Sequence, residues 1–552
     1  MSPRSTTSIP HVAILADGCE LDREDALALH EVRVRDRLSL PCLCELRFLG
    51  ARGALGRGEG PGPGAELTLR VADETEPLFT GDITALEHVH GPSGEHEIRL
   101  RAYDRLHRLR KRQPVRTHVE VTCADLAADL VGPDGLSVAR GTSAGAALAS
   151  LITGGVAGTM TGLGTGTVGG TGDTSSDPGP GPLWPRLVQF RQTDFDLLAE
   201  TAERAGLYFT LRGTELRLLT LEGFGEPREL RLGDNLFEAR FTLNSDPACR
   251  SVVSTGWDPW TVQPREGAAQ EARVAQQSSG GTSSPQEHLD ASREWAPGEW
   301  RLVDEALQTE EQADAMAQAE LDHRTAREVV LQGVADGDPH LHPGIPVEIR
   351  GVVPPFEGRH VLTEVNHVID TTRGYVSEIL TEPPRLEHRP WGTIMTFGVV
   401  TRVDDPEGLG RVQVQFPAYG DLESDWIGVV IPGAGPQKGL IALPDVEDTV
   451  LVLLAREDPA QAVVVGGLFG STAPPDDGLE GSERRRFALL TPRGQTVRLD
   501  DERRSLRIDN GAGSSLELRP GKVSLRSAAD IEITAPGKNV VISGAAIDFR
   551  KA

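Results

Sequence analysis

The chain has 552 residues, of which 38% are hydrophobic, and a formal net charge of −26. That length divides into several domains at ~150 residues each, and the modest apolar share excludes one large core, leaving part of the chain extended or partner-dependent. The acidic balance excludes a broad nucleic-acid footprint, which needs clustered Lys and Arg; the one basic run, RAYDRLHRLRKRQPVR (101–116), has no aromatic platform and reads as a solvated face.

The first residues, MSPRSTTSIPHVAIL, show neither an apolar h-region nor a cleavage site, so synthesis in the cytoplasm without a signal peptide is expected. Residues 1–120 are β-rich: HVAILADG, DALALHEVRVRDRLSLPCLCELRFLG, ELTLRVAD, PLFTGDITALEHVHG and HEIRLRAYD alternate apolar and polar positions between turn residues. A compact barrel or sandwich fits them. Within 121–182, Thr122 is a candidate N-cap with Asp125 three residues on, opening a short helix. An uncharged Gly/Thr tract (141–172) then reads as an insertion. Residues 183–385 form a second unit. RQTDFDLLAETAERAGLYFTLRG predicts a helix and strand with Gly206 as the C-terminal cap. Polar 263–300 reads as a loop, and ALQTEEQADAMAQAELDHRTAREVV is the clearest helix. PPRLEHRPW (383–391) is a linker. Residues 392–470 carry five or six strands in the span of a small closed barrel, and a second linker (471–486) follows.

From 487 to 552, short strands repeat with paired apolar positions: Val497/Leu499, Leu506/Ile508, Leu516/Leu518, Val523/Leu525, Ile531/Ile533, Val540/Ile542 and Ile547/Phe549. Two inward side chains per strand are too few for one ribbon to make a core. Three ribbons about a common axis solve this, the pairs meeting at the centre as a homotrimeric β-helix (prism). Seven layers at ~4.8 Å each predict a stiff needle, with Ile547 and Phe549 at an apolar end open to a tip partner.

The segment FGVVTRVDDPEGLGRVQVQFPAYGDLESDWIGVVIPGAGPQKGLIALPDVEDTVLVLLAREDPAQAVVVGGLFG (397–470) resembles the OB-fold domain of VgrG-type spikes and phage baseplate spikes. It does so through DDPEGLGRVQVQFP, Trp426, PGAGPQKG, LPDVEDTVLV and DPAQAVVVGGLFG. PLFTGDITALE, RAYDRLHRLR, QTDFDLLAETAERAGL, STGWDP and GDPHLHPG…FEGRHVLTEVNH resemble the tail-hub half of the same family. The resemblance implies a mainly β, multidomain fold: tail-hub barrels with a few helices, an OB-fold barrel and the trimeric β-helix. It further implies a non-enzymatic central spike of a contractile injection machine, whose sheath contraction drives it through a target envelope. The implied partners are two further copies, a PAAR-type tip protein, tube and baseplate proteins, and effector cargo. No lysozyme domain fits in the second linker.

Other readings are weaker. GTSAG (141–145) matches G-x-S-x-G, which would make Ser143 a hydrolase nucleophile, but the α/β surroundings of a nucleophile elbow are lacking. Residues 141–172 are long enough to contact a target membrane, yet lack aromatic or basic anchors. DDPEGLG (404–410) has the wrong spacing for a calcium loop and reads as a turn. His340-x-His342 has no third ligand nearby. Five sparsely spaced cysteines (Cys19, Cys42, Cys44, Cys123, Cys249) argue against a disulfide framework, and Cys42-x-Cys44 reads as buried thiols of a reducing compartment. No cofactor or metal is expected.

Overall fold

The computed structural model describes residues 11–71, 76–92, 94–139, 181–258, 263–274, 277–278, 298–305, 307–385, 392–455 and 458–550. The chain divides into two compact units, Met1–Gly466 and Gly467–Ala552. The Gly/Thr tract, GTSAG and Ser143 lie outside the described residues.

In the first unit an 11-stranded antiparallel sheet runs in the order 236–243, 329–336, 374–380, 364–370, 29–37, 43–49, 96–103, 79–90, 66–71, 12–16, 19–20. Its seam pairs Leu29–Arg37 with Glu364–Asp370, Val34 facing His367. Segments read as separate units, 1–120 and 183–385, thus share one sheet. Strict alternation drives this. Val32, Val34, Cys44, Leu46, Phe48, Ile98 and Leu100 are buried on one face, while Arg33, Arg35, Arg99 and Arg101 stay exposed on the other.

A second core forms around the Cys123–Val131 and Asp194–Arg204 helices. Both open with complete capping boxes, Thr122 with Asp125 and Thr193 with Asp196. The second helix ends at Gly206, in the left-handed region at φ +70°. There Leu207 N–H donates to Ala202 O (2.8 Å) and Gly206 N–H to Glu203 O (2.9 Å), the paired bonds of a Schellman ending.

The expected loop at 263–300 is corrected in its described part. Gln263–Ala269 and Glu299–Glu305 both pair with Ser251–Asp258. The Glu310–Ala326 helix packs on this small sheet through Val252, Ala269, Ala317 and Leu321. The strand escaped notice because QPREGAA has little apolar content. Its packing signal is Gly267, where an added Cβ would lie 2.2 Å from the Ala313 backbone carbon.

Residues 394–467 form a six-stranded sheet in the order 422–423, 413–416, 394–402, 449–454, 462–467, 428–429. Its core of Val400, Val414, Phe416, Val450, Val452, Leu454 and Val464 also takes in Val188 and Phe190 from the Trp184–Gln189 strand and the residue that follows it. Phe190 meets Tyr419 edge-on, with ring centroids 5.6 Å apart.

The second unit is a five-stranded antiparallel meander: Arg486–Leu490, Thr496–Asp500, Ser505–Asp509, Ser515–Arg519 and Lys522–Arg526. The expectation of seven strands beginning at Val497 changes at both ends. The structure adds a first strand carrying Phe487 and Leu489. Ile531/Ile533, Val540/Ile542 and Ile547/Phe549 lie in stretches that are not strands. A single ribbon there has no neighbouring ladder to join. Beyond Ala529 the described backbone makes one internal hydrogen bond, Lys538 N–H to Ala535 O.

Candidate functional site

The register of the meander builds two unbroken apolar rows. Phe487, Leu499, Leu506, Leu518 and Val523 stand opposite one another in succession, as do Leu489, Val497, Ile508, Leu516 and Leu525. Directly opposed residues share a sheet face, so ten apolar side chains occupy one face. Seven of them are exposed, Phe487 at 58%, Val523 at 67% and Leu525 at 61% among them, while Val497, Leu506 and Leu516 are half-buried. Among the described residues no hydrophobic core cluster contains one beyond Val464. The second unit therefore has ordered strands and no described apolar core of its own. The other face carries Arg498, Arg507 and Glu517 in cross-strand succession.

The predicted residues in these five strands, Val497 through Leu525, come together in the two rows. Ile531, Ile533, Val540, Ile542, Ile547 and Phe549 are exposed outside any strand, Phe549 at 90%. Phe487 and Leu489 were missed. FALL reads as an unpatterned apolar run, and only the register to Leu499 and Val497 reveals its face. Within this unit Asp476 accepts from Arg486 (3.2 Å), Arg498 (3.3 Å) and Gly478 N–H (2.9 Å). The Arg486 bond, the largest effect, holds its carboxyl below the usual range.

On the six-stranded sheet of residues 394–467, the face carrying Met395 and Phe397 is also apolar. Met395 lies opposite Leu453 and Phe397 opposite Leu451, and Met395 and Phe397 are largely exposed. Leu440, Ile441 and Leu443, after PGAGPQKG, are exposed as well. DDPEGLG is a turn closed by Asp405, and Arg402 lies 5.1 Å over the Trp426 ring.

The basic run is consumed internally. Arg105 pairs with Glu66 (2.8 Å), Arg108 with Asp82 (2.7 Å), and both Arg112 (2.8 Å) and Arg116 (2.9 Å) with Asp194. A groove of about 660 Å³ on the large sheet is lined by Arg33, Arg35, Arg240, Glu238, Glu364 and Glu378. Its charges are of mixed sign, and Arg35 is bound to Glu364 at 2.6 Å.

Chemistry-bearing residues elsewhere have structural settings. Ser377 Oγ lies 3.0 Å from His367 Nδ1, and His367 Nε2 donates to Leu341 O at 3.0 Å. Ser377 is fully buried, and desolvation pushes His367 down to about 4. His340 bonds Asp338 at 2.8 Å, whereas His342 is stacked on Phe224 with centroids 5.4 Å apart. Cys42, Cys44, Cys123 and Cys249 are buried and Cys19 is exposed; burial pushes the Cys123 thiol up to about 12. Among the described residues no helix is long and apolar enough to cross a membrane. No three His, Cys, Asp or Glu side chains among them are arranged to hold a metal ion.

Comparison with known proteins places these features. Residues 396–469 match the model of the type VI secretion system/phage-baseplate injector OB domain, and residues 181–371 match that of the Alg8 N-terminal domain. The VgrG-containing structure of the Francisella PdpA-VgrG complex superposes with a TM-score of 0.53 at 8% identity, covering 95% of this chain and 81% of that one. An E. coli component of the type VI secretion system, described as similar to T4 phage tail proteins, gives 0.49 at 11% identity over 82% of this chain and 99% of its own. A 43 kDa prophage MuSo2 tail protein from Shewanella oneidensis gives 0.48 at 13% identity over 68% and 98%. Residues 396–469 are thus similar to the injector OB domain, and the chain as a whole shares the fold of the Francisella PdpA-VgrG structure.

Proposed function

We propose that this protein is the non-enzymatic, homotrimeric central spike of a contractile injection machine, its C-terminal unit forming the needle. The observation that carries the reading is the pair of uncovered apolar rows on a sheet with no core of its own. Ten aligned apolar side chains, seven of them exposed, oppose folding of a lone copy, since burial is worth about 25 cal/mol per Å². Three copies turning these faces inward bury them together and leave Arg498, Arg507 and Glu517 outside. The stretch beyond Ala529 supports the same arrangement. Its backbone groups, nearly without internal partners, gain a ladder when other copies run beside it. The exposed outer barrel face around Met395 and Phe397 suits a second contact between copies. Ile547 and Phe549 remain for a PAAR-type tip protein, and the hub region for tube, baseplate and cargo.

In this role the needle acts mechanically: paired strands stacked along one axis resist sideways deformation because many hydrogen bonds must break together. Light scattering on the purified full-length chain tests the reading. A mass of three chains that persists on dilution supports it; a stable monomer sinks it.

A further inference from the structure

The six-stranded sheet of residues 394–467 leaves one face uncovered, and the loop leading into its Thr449–Leu454 strand leaves an apolar stretch in solvent. Met395 stands opposite Leu453, Phe397 opposite Leu451 and Val399 opposite Thr449. Opposed residues share a face, so these six uncharged positions lie together, while Val450, Val452 and Leu454 point the other way into the core. The loop turns back tightly where Gly435 N–H donates to Lys438 O and Lys438 N–H to Gly435 O, both at 3.1 Å. Its return limb reads GLIALP (439–444). Leu440, Ile441 and Leu443 are exposed there, Ile441 at 81%. Leu440 N–H donates to Pro432 O (3.0 Å), but from Ile441 to Pro444 the backbone makes no hydrogen bond among the described residues. Leu443 alone has a prop in its own chain, its Cδ1 lying 3.2 Å from where a Cβ on Gly410 of the DDPEGLG turn would stand. Single exposed apolar residues are ordinary; an uncovered sheet face together with a loose apolar limb is not.

We propose that the 440–443 limb of one copy lies on the Met395–Phe397 sheet face of the next copy. This contact presupposes the homotrimer and supplies the occupant of that face. The chemistry favours a second copy: GLIALP and the six face positions carry no charge, so neither surface offers anything to a phosphate group or an acidic partner. One chain holds both halves on different elements. Each copy of a three-fold ring therefore gives its limb to one neighbour and receives the limb of the other, a head-to-tail contact that closes after three copies. Docking removes Leu440, Ile441 and Leu443 from water together with Met395, Phe397, Leu451 and Leu453, while the outer side of the limb stays open for water to satisfy its backbone. Leu468 and Phe469, which follow the Ala462–Gly467 strand, are exposed as well. Uncovered apolar residues thus continue along the chain to the needle rows, where the same neighbours meet.

The test uses the full-length chain with Cys19→Ser, which removes the exposed native thiol. Ile441→Cys and Phe397→Cys are introduced singly and together, treated in dilute solution with a short bismaleimide and run on a denaturing gel, with light scattering before treatment. Expected are a scattering mass of three chains throughout, a covalent three-chain band from the double variant, and one-chain bands from each single variant. A two-chain band from Ile441→Cys alone overturns the assignment, because the limbs then meet one another. A double variant that gives only a one-chain band while scattering reports three chains also overturns it and leaves the spike reading standing. A mass of one chain for the Cys19→Ser parent removes both. Should a cysteine variant melt early or lose the three-chain mass, Leu440→Cys with Met395→Cys decides the matter by the same criteria.

Discussion

Asp405 and Arg411 form a two-point ion pair across the DDPEGLGRV turn, Oδ1 to Nη2 at 2.7 Å and Oδ2 to Nε at 3.1 Å. The same carboxylate accepts N–H groups from Glu407 (3.1 Å) and Leu409 (2.9 Å). The motif thus specifies a turn because one acid serves both its backbone and its exit strand. The Arg411 bond, first among these causes, holds the Asp405 carboxyl well below the usual carboxylate range.

A folded-state value below the unfolded one stabilises above the unfolded value and loses that stabilisation as pH falls through the folded one. Asp405→Asn should therefore melt at a lower temperature than wild type at pH 7, with the difference shrinking toward pH 2. Calorimetric melting across that range checks both parts; a constant difference counts against the ion pair.

Asp36 and Asp104 have the opposite sign. Both are buried, and desolvation raises them to about 7 and about 8, respectively. Asp104 still accepts N–H groups from Cys42 (2.9 Å) and Leu106 (3.0 Å), which opposes the rise. A carboxyl raised on folding stays protonated in the native state while its unfolded form ionises from about pH 4 upward. Stability contributed by these groups is therefore full below pH 4 and is lost progressively up to pH 7–8. Asp36→Asn, which needs no ionisation, should be more stable than wild type by on the order of 2 kcal/mol at pH 8 and equal to it near pH 4. Denaturant midpoints at the two pH values measure this.

The β-rich hub and the barrel were legible because alternation is strong where one sheet face is buried. Val32 and Val34 alternate with Arg33 and Arg35, and the Thr122 and Gly206 caps announce their helices. What could not be read was pairing between distant segments. Nothing local in HEVRVRDR specifies Glu364–Asp370 as its neighbour. The apolar pairs of the C-terminal repeat were legible by spacing, but strand formation there depends on a partner ladder, and spacing alone does not show where the chain supplies one. Val523/Leu525 has a neighbour in Ser515–Arg519; Ile531/Ile533 has none.

Gly267 tests the strand that composition concealed. The Ala313–Asp314 backbone of the Glu310–Ala326 helix sits where a side chain would be, within 2.2 Å of an added Cβ. Gly267→Val must push the helix off the sheet, costing about 1–3 kcal/mol as overpacking does. Ala268, exposed on the next position, tolerates Val nearly freely. Paired unfolding curves of the two variants give the answer, and equal stability would remove the helix–sheet contact from the account.

The needle reading makes a prediction that depends on sheet face rather than on position along the chain. Ile508 stands in the apolar row between Val497 and Leu516. Arg507, one residue earlier, points to the charged face opposite Arg498 and Glu517. In a lone meander both sites meet water, Ile508 being 44% exposed, so Ile508→Asp would change little. In a trimer it places three carboxylates at the shared axis. Each desolvated charge there costs several kcal/mol unless water enters or the group takes up a proton. Ile508→Asp should therefore dissociate the trimer or lower its melting temperature sharply, with partial recovery at pH 4, whereas Arg507→Asp should leave the mass at three chains. Ile533→Asp extends the test beyond the meander, where trimer contacts are the proposed source of all strand pairing. Light scattering on the three variants separates the cases, and a trimer indifferent to Ile508→Asp would place the contact between copies elsewhere than on these rows.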